Sequence, residues 1–188
     1  MGPVQPFSWA VITLMALGLC FSTPLPADSN KPLETVDRVD LERYKGRWYE
    51  IAKIPNRFQR KCDRDTSATY SLRPDGRVTV VNRCVEADGD ESVSKGLAKV
   101  VDTATNAKLK VSFVSLLGIR LFWGDYWVIG LDPDYEWALV NESKRKYGWI
   151  LARQLQLTPE QWEAARSTLR DRGYNPDNFV PTAHSGTQ

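Results

Sequence analysis

A chain of 188 residues has room for one domain of ordinary size, and 42% hydrophobic with 26% charged residues excludes a disordered or collagen-like polymer. Its 25 basic and 23 acidic residues leave a formal charge of +2. No basic block exceeds a few residues, so the many phosphate contacts of a nucleic-acid binder are missing. The single histidine, His184, stands in a polar tail, which argues against a histidine-centred metal centre, a haem pocket or a Ser-His triad; no metal or cofactor is expected.

Residues 1–22 read as an export signal. Phe7 to Phe21 carries no charge over fifteen residues, shorter than the roughly 20 that a membrane span needs. Leu17-Gly18-Leu19-Cys20 resembles a bacterial lipobox, with a bulky Leu19 where a small residue is usual. Processed in that way, Cys20 becomes the lipidated first residue of the mature chain and a membrane anchor. An ordinary signal peptide cut near Ser22 or Ala27 discards it instead. Residues 23–38 begin Pro-rich and polar and read as a tether. Beyond Cys20 the chain has two cysteines, Cys62 and Cys84, an even pair suited to an oxidising compartment and without CxxC or histidine neighbours for metal binding.

A run of strands follows. Gly46 to Ile54 is aromatic-rich and stops at Pro55. Ser67 to Leu72 and Val78 to Cys84 flank Arg73-Pro74-Asp75-Gly76-Arg77, a strong hairpin signal that sets Leu72 against Val78, Tyr70 against Val80 and Ala68 against Asn82. Ser92 to Val101, Lys108 to Val114, Asp125 to Leu131, Tyr135 to Glu142 and Tyr147 to Gln154 complete eight strands with no crossover helix between any pair, which favours an antiparallel sheet. Thr158-Pro159-Glu160 opens one helix, which stops at Gly173 and carries Trp162, Ala165 and Leu169 on one apolar face. A short strand around Asn178 to Val180 ends the pattern. Several strands are apolar on both faces, so both faces need cover. The expected fold is all-β: an eight-stranded antiparallel up-and-down calyx barrel over residues 39–181, with the C-terminal α-helix packed outside and a polar tail at 182–188. A barrel of that size has room for one small ligand.

Gly46-Arg47-Trp48-Tyr49-Glu50 resembles the G-x-W signature of the lipocalins. Asp132-Pro133-Asp134-Tyr135 and Trp149-Ile150-Leu151-Ala152-Arg153 match the second and third family motifs in order and spacing, the second departing from T-D-Y at Pro133. The stretches GRWYEIA, ATYSLRPDG, LKVSF, VIGLD, YEWALV and YGWILAR are similar to the bacterial outer-membrane, apolipoprotein D-like branch. The resemblance implies that Trp48, after Gly46, plugs the closed end of the barrel with Arg153 stacked over it, a structural and not a catalytic pair. Alternation from those two, together with the family pattern, directs Glu50, Ala52, Tyr147, Trp149 and Leu151 inward. With them go Ala68, Tyr70 and Leu72; Val78, Val80 and Asn82; Tyr126, Val128 and Gly130; and Ala138 and Val140. Of these, Ala52, Ala68, Tyr70, Val80, Asn82, Tyr126, Val128, Ala138, Val140, Trp149 and Leu151 form the expected ligand-binding set.

The same connectivity puts loops 55–66, 85–91, 115–124 and 143–146 at the open end, and with them a disulfide between Cys62 and Cys84. Loop 115–124 is unusually apolar; folding over the cavity, pairing two subunits as a homodimer and touching a membrane are all open to it. Arg57, Arg60, Lys61, Lys144, Arg145 and Lys146 make a basic rim suited to an amphipathic anion. These features imply a non-catalytic carrier of a fatty acid, lysophospholipid or similar single-chain lipid, lipid-anchored on the periplasmic side of an outer membrane. The alternatives are a secreted carrier of a pigment or retinoid, an isomerase using Cys84 as nucleophile, and an assembly protein acting through the apolar loop.

Overall fold

The computed structural model describes residues 1–2, 32–117 and 119–186, and the architecture is that of those residues. Cys20 and the signal and lipobox readings lie outside them. A short helix α1 (Leu41–Tyr44), capped by the Asp40 carboxylate, leads into β1 (Gly46–Lys53), β2 (Cys62–Leu72), β3 (Val78–Glu86), β4 (Glu91–Val100) and β5 (Lys108–Ser112). A small hairpin, β6 (Val114–Leu116) and β7 (Ile119–Leu121), precedes β8 (Gly124–Leu131), β9 (Trp137–Asn141) and β10 (Gly148–Ala152). Helix α2 (Pro159–Asp171) and β11 (Val180–Pro181) follow. Strands β1 to β5 and β8 to β10 pair antiparallel in chain order, and β10 returns to β1, so the sheet closes into the eight-stranded barrel.

The β2–β3 hairpin has the register set by its turn, with Leu72 opposite Val78, Tyr70 opposite Val80 and Ala68 opposite Asn82. Gly76 supplies the positive φ of +74° that the turn requires. Strand β2 starts five residues earlier than its apolar pattern suggested, at Cys62, because Cys62 and Arg64 still pair with Glu86 and Val85 across two register shifts.

Two bulges overturn part of the inward assignment. In β1, Glu50 lies opposite Leu151 but Ala52 lies opposite Ile150, so Ile51 is an extra residue. The insertion flips the parity of the residues after it: Ala52 sits in the outer apolar cluster with Ile150 and Leu169, not in the lumen. A second shift, between Val128 and Gly130, does the same in β8. Gly130 faces outward, where a Cβ would stand 2.8 Å from Leu139 and 3.0 Å from Thr168 of α2. Its missing side chain makes room for the helix and not for a ligand.

The chain ends are also more structured than their composition suggests. Within the expected tether, Leu33 is buried, Glu34 pairs with Arg172, and the Val36 N–H donates to the Val128 carbonyl. The expected polar tail is docked at least to Ser185. Strands β1 and β2 pair only from Gly46–Tyr49 and then splay apart, and the C-terminal segment fills the gap. Pro181 and Val180 lie opposite Ala52 and Lys53, the Thr182 N–H donates to the Ile51 carbonyl, and the Asp65 N–H donates to the Ala183 carbonyl. His184 is buried there, its Nε2 donating to the Glu50 carbonyl at 2.8 Å.

The barrel wall separates two apolar clusters. The inner one is centred on Trp48, Tyr70, Val80, Val128 and Val140. The outer one packs Ile129, Leu139 and Ile150 against Ala165 and Leu169 of α2. Helix α2 begins with a capping box, Thr158 with Gln161, and Pro159 in its first turn.

At the closed end Trp48 is fully buried and its Nε1 donates to the Tyr44 carbonyl at 2.8 Å. The Arg153 guanidinium carbon lies 3.9 Å from the Trp48 ring centroid. Its nitrogens donate to the carbonyls of Arg43, Arg47 and Lys45 at 2.7, 2.8 and 3.1 Å. Gly46, at φ +96°, lets the chain pass beside that guanidinium. One planar cation thus satisfies carbonyls at the end of α1 and the start of β1 while covering the indole. Arg153→Ala is expected to cost about 2–3 kcal/mol and to lower the melting temperature by about 5–10 °C in circular dichroism. Arg153→Lys, which keeps the charge without the flat face, should recover less than half of that loss. An unchanged melt for the alanine variant would refute the assignment.

A candidate ligand cavity at the open end

Above the plug the barrel is hollow. A cavity of about 540 Å³ opens between the loops at the opposite end, within the range of about 300–1,000 Å³ typical of small-molecule pockets. Ala68, Tyr70, Val80, Asn82, Tyr126, Val140, Trp149 and Leu151 line it. Val128 and Ala138 do not. They pack in the core beneath, Val128 beside a residual void of about 20 Å³ that Leu72 and Val78 also border. The alternation that points them inward says nothing of depth, and at their level the barrel is filled. Ala52, beyond the bulge, is outside the wall.

Several lining residues escaped the sequence reading. Ser94 lies opposite Asn82 and Ser92 opposite Cys84, and both line the cavity; carrying the alternation across to β4 would have found them. Phe113 reaches into the barrel because Gly96 faces it. A Cβ at Gly96 would stand 2.7 Å from the Phe113 ring, a clash that only glycine avoids here. Phe58 and Gln59, from a short 3-10 turn capped by Asn56, also border the cavity. Gln59 had no signal in composition or periodicity.

A disulfide joins Cys62 to Cys84, with Cα atoms 5.5 Å apart, and both residues border the cavity. The bridge ties the start of β2 to the end of β3 beside the mouth, and it consumes both thiols at the cavity, Cys84, the candidate nucleophile, among them. The apolar loop is built as the β6–β7 hairpin, with Phe122 turned to the cavity edge. The basic rim is different from its expected form. Lys144 and Lys146 are exposed on the β9–β10 turn, and Arg57, Arg60 and Lys61 are exposed between β1 and β2. The Arg145 Nε instead donates to the Arg172 carbonyl at 3.1 Å beyond α2, on the outer wall. None of these six cations borders the cavity. The charged residues that do are Glu50, Arg83, Asp125 and Glu142.

Glu50 is 2% exposed, and its carboxylate is fully engaged. Oε1 accepts from Lys53 at 2.9 Å and from the Thr182 hydroxyl at 2.7 Å, while Oε2 accepts from the Gln59 amide. The Gln59 Oε1 in turn accepts from the Trp149 indole at 2.8 Å. The buried charge is therefore paired, as its desolvation requires, and the network fixes the Trp149 ring in the cavity wall. Asp125 accepts from Ser143 and Lys110, and the Ser143 hydrogen bond chiefly holds its carboxyl below the usual range.

The floor carries a chain of phenols. The Tyr126 hydroxyl lies 2.9 Å from that of Tyr44 and donates to that of Tyr70 at 2.9 Å. Burial raises all three, pushing Tyr70 up to about 12 and Tyr44 and Tyr126 well above the ordinary value. The folded state therefore holds these protons more tightly than the unfolded one. Their contribution to stability is complete below the ordinary tyrosine value near 10 and falls as pH rises from there through about 12. Denaturant melts across that interval should show stability dropping with pH, and Tyr70→Phe should flatten the drop. A pH-independent melt over the same interval would contradict it.

Residues 39–184 match the family model for a lipocalin-like domain. The chain is 41% identical over 160 residues to temperature-induced lipocalin-1 of Arabidopsis thaliana, covering 84% of this chain and 86% of that protein. It is 35% identical over 179 residues to the outer membrane lipoprotein Blc of Escherichia coli K12, covering 95% and 96%. Among solved structures, insecticyanin from the tobacco hornworm Manduca sexta superposes with a TM-score of 0.68 at 22% identity, over 86% of this chain and 89% of that one. A match over most of the sequence, an antiparallel barrel closed at the end where Trp48 and Arg153 meet, and a hollow at the other end together establish that the chain belongs to the lipocalin family.

Proposed function

We propose that the protein carries a single-chain lipid, a fatty acid or lysophospholipid, with the tail in the cavity and the headgroup at the mouth. The observation that carries this reading is the cavity of about 540 Å³ whose wall is largely apolar and aromatic. Each methylene moved from water into such a wall gains about 0.8 kcal/mol before ordering costs. Polar groups that could meet a headgroup border the cavity on several strands, among them Glu50, Asn82, Arg83, Asp125 and Glu142. With Cys84 held in the disulfide, the cavity wall offers no free thiol, which supports carriage over chemistry. The likeness to an outer membrane lipoprotein supports a lipid anchor at Cys20 and a place on the periplasmic side of an outer membrane, for storage or transport in the envelope.

A second reading, a soluble carrier of a pigment or retinoid, is favoured by the aromatic content of the wall: Tyr126, Tyr147, Trp149 and Phe113 present ring faces to a planar guest. The two separate in one titration. Delipidated protein is mixed with a lysophospholipid or with retinol while tryptophan emission is followed, since Trp149 lies in the wall. Saturable one-to-one binding of the lysophospholipid is expected, weakened about tenfold or more when Ala68→Trp fills the cavity. Retinol binding alone would favour the second reading, and no saturable binding of any single-chain lipid would remove the first. Mass spectrometry of the protein from its own membranes checks the anchor through the acyl mass on Cys20.

A further inference from the structure

The geometry points to a tilted lipid-docking face at the mouth, formed by the β6–β7 hairpin together with the β9–β10 and β1–β2 turns and excluding the β3–β4 turn. On the hairpin Leu116, Leu117, Ile119 and Phe122 are 62, 95, 65 and 82% exposed, a concentration of apolar side chains that a water-facing turn does not need. Phe58, 64% exposed on the β1–β2 turn, adds a ring at the same end.

Charge decides the occupant and the tilt. Strand order fixes the order of turns around the mouth: β1–β2, β3–β4, the hairpin between β5 and β8, then β9–β10, which adjoins β1–β2 again. The β9–β10 and β1–β2 turns carry exposed Lys144, Lys146, Arg57, Arg60 and Lys61, none in an ion pair with the described residues. The β3–β4 turn is acidic, with exposed Asp88 and Asp90 between Glu86 and Glu91. Exposed cations therefore outnumber acids on one continuous half of the rim, beside the apolar wedge, where Glu142 is turned to the backbone N–H groups of its own hairpin and Asp63 pairs with Arg64. The β3–β4 side carries exposed acids, Asp88 and Asp90, outside any ion pair among the described residues. A bilayer with anionic headgroups meets the wedge and the basic half and repels the acidic turn. A second copy fits less well, because a narrow two-stranded hairpin offers little of the roughly 800 Å² per partner that a stable dimer buries. Phe113 and Phe122 border both the hairpin and the cavity, so the docked face is continuous with the mouth.

The inference goes beyond carriage and is read independently of it. Full-length protein bearing Cys20→Ser, which removes the lipid-attachment site, takes an environment-sensitive fluorophore at Leu117→Cys, at Phe122→Cys or, as the closed-end control for association through the N-terminal apolar stretch, at Ala104→Cys. Vesicles of phosphatidylcholine with phosphatidylglycerol should shift the emission of both hairpin labels to the blue and leave the control unchanged. Lys61→Glu with Lys144→Glu and Lys146→Glu should weaken the hairpin response about tenfold or more on anionic vesicles, while Asp88→Asn with Asp90→Asn should not weaken it. Hairpin labels that stay in water with vesicles present, or a control that shifts equally, overturn the proposal. So does a blue shift that grows with protein concentration without vesicles, the signature of a second copy. A protein that binds lysophospholipid in solution yet keeps its hairpin in water loses the docking face and retains the carrier reading; the converse result does the reverse.

Discussion

Return of β10 onto β1 is the constraint on which the rest of this molecule depends. A closed sheet has an inside and an outside, and here both must stay dry over part of their height. The inside is dried at one end by Trp48 under the Arg153 guanidinium, and the outside by α2 and the segment from Leu33. With the plug at one end and the wall side chains at the other not closing over the axis, the upper barrel is left as a hollow. The site is therefore a remainder of the packing: it lies where the core stops.

Much of this was legible in the residues. The turn at 73–77 sets the β2–β3 register, and the alternation of Trp149 with Ile150 and of Val140 with Leu139 separates cavity wall from outer wall. The failures share a cause. Alternation transmits side-chain direction only through unbroken pairing, and an extra residue at Ile51 or Ile129 reverses it without any mark in composition. Thus Ala52 and Gly130 changed sides, while Val128 and Ala138 kept the right side at the wrong depth. Arg145 left the rim because a basic residue on a turn has several carbonyls within reach, and the sequence does not rank them.

Two polar networks of the barrel are satisfied within the chain. Glu50 is placed where a lysine, a glutamine and a threonine from three parts of the chain converge on it, and the tyrosines of the floor bond to one another. Neither arrangement needs a guest to hold it together, so the cavity can stand without one. Discrimination among guests then falls to shape and to the mouth, where charge is distributed unevenly.

The slot between β1 and β2 bears on how the protein is made. Residues 180–185 close it through Ile51, Glu50 and Asp65, so a nascent chain emerging from the ribosome cannot finish its wall until that stretch has been synthesised. Until then the strands are an open-seamed sleeve, held back from its final tightness. For the exported chain proposed above such a delay is useful, because a translocation channel accepts a thread more readily than a finished cup.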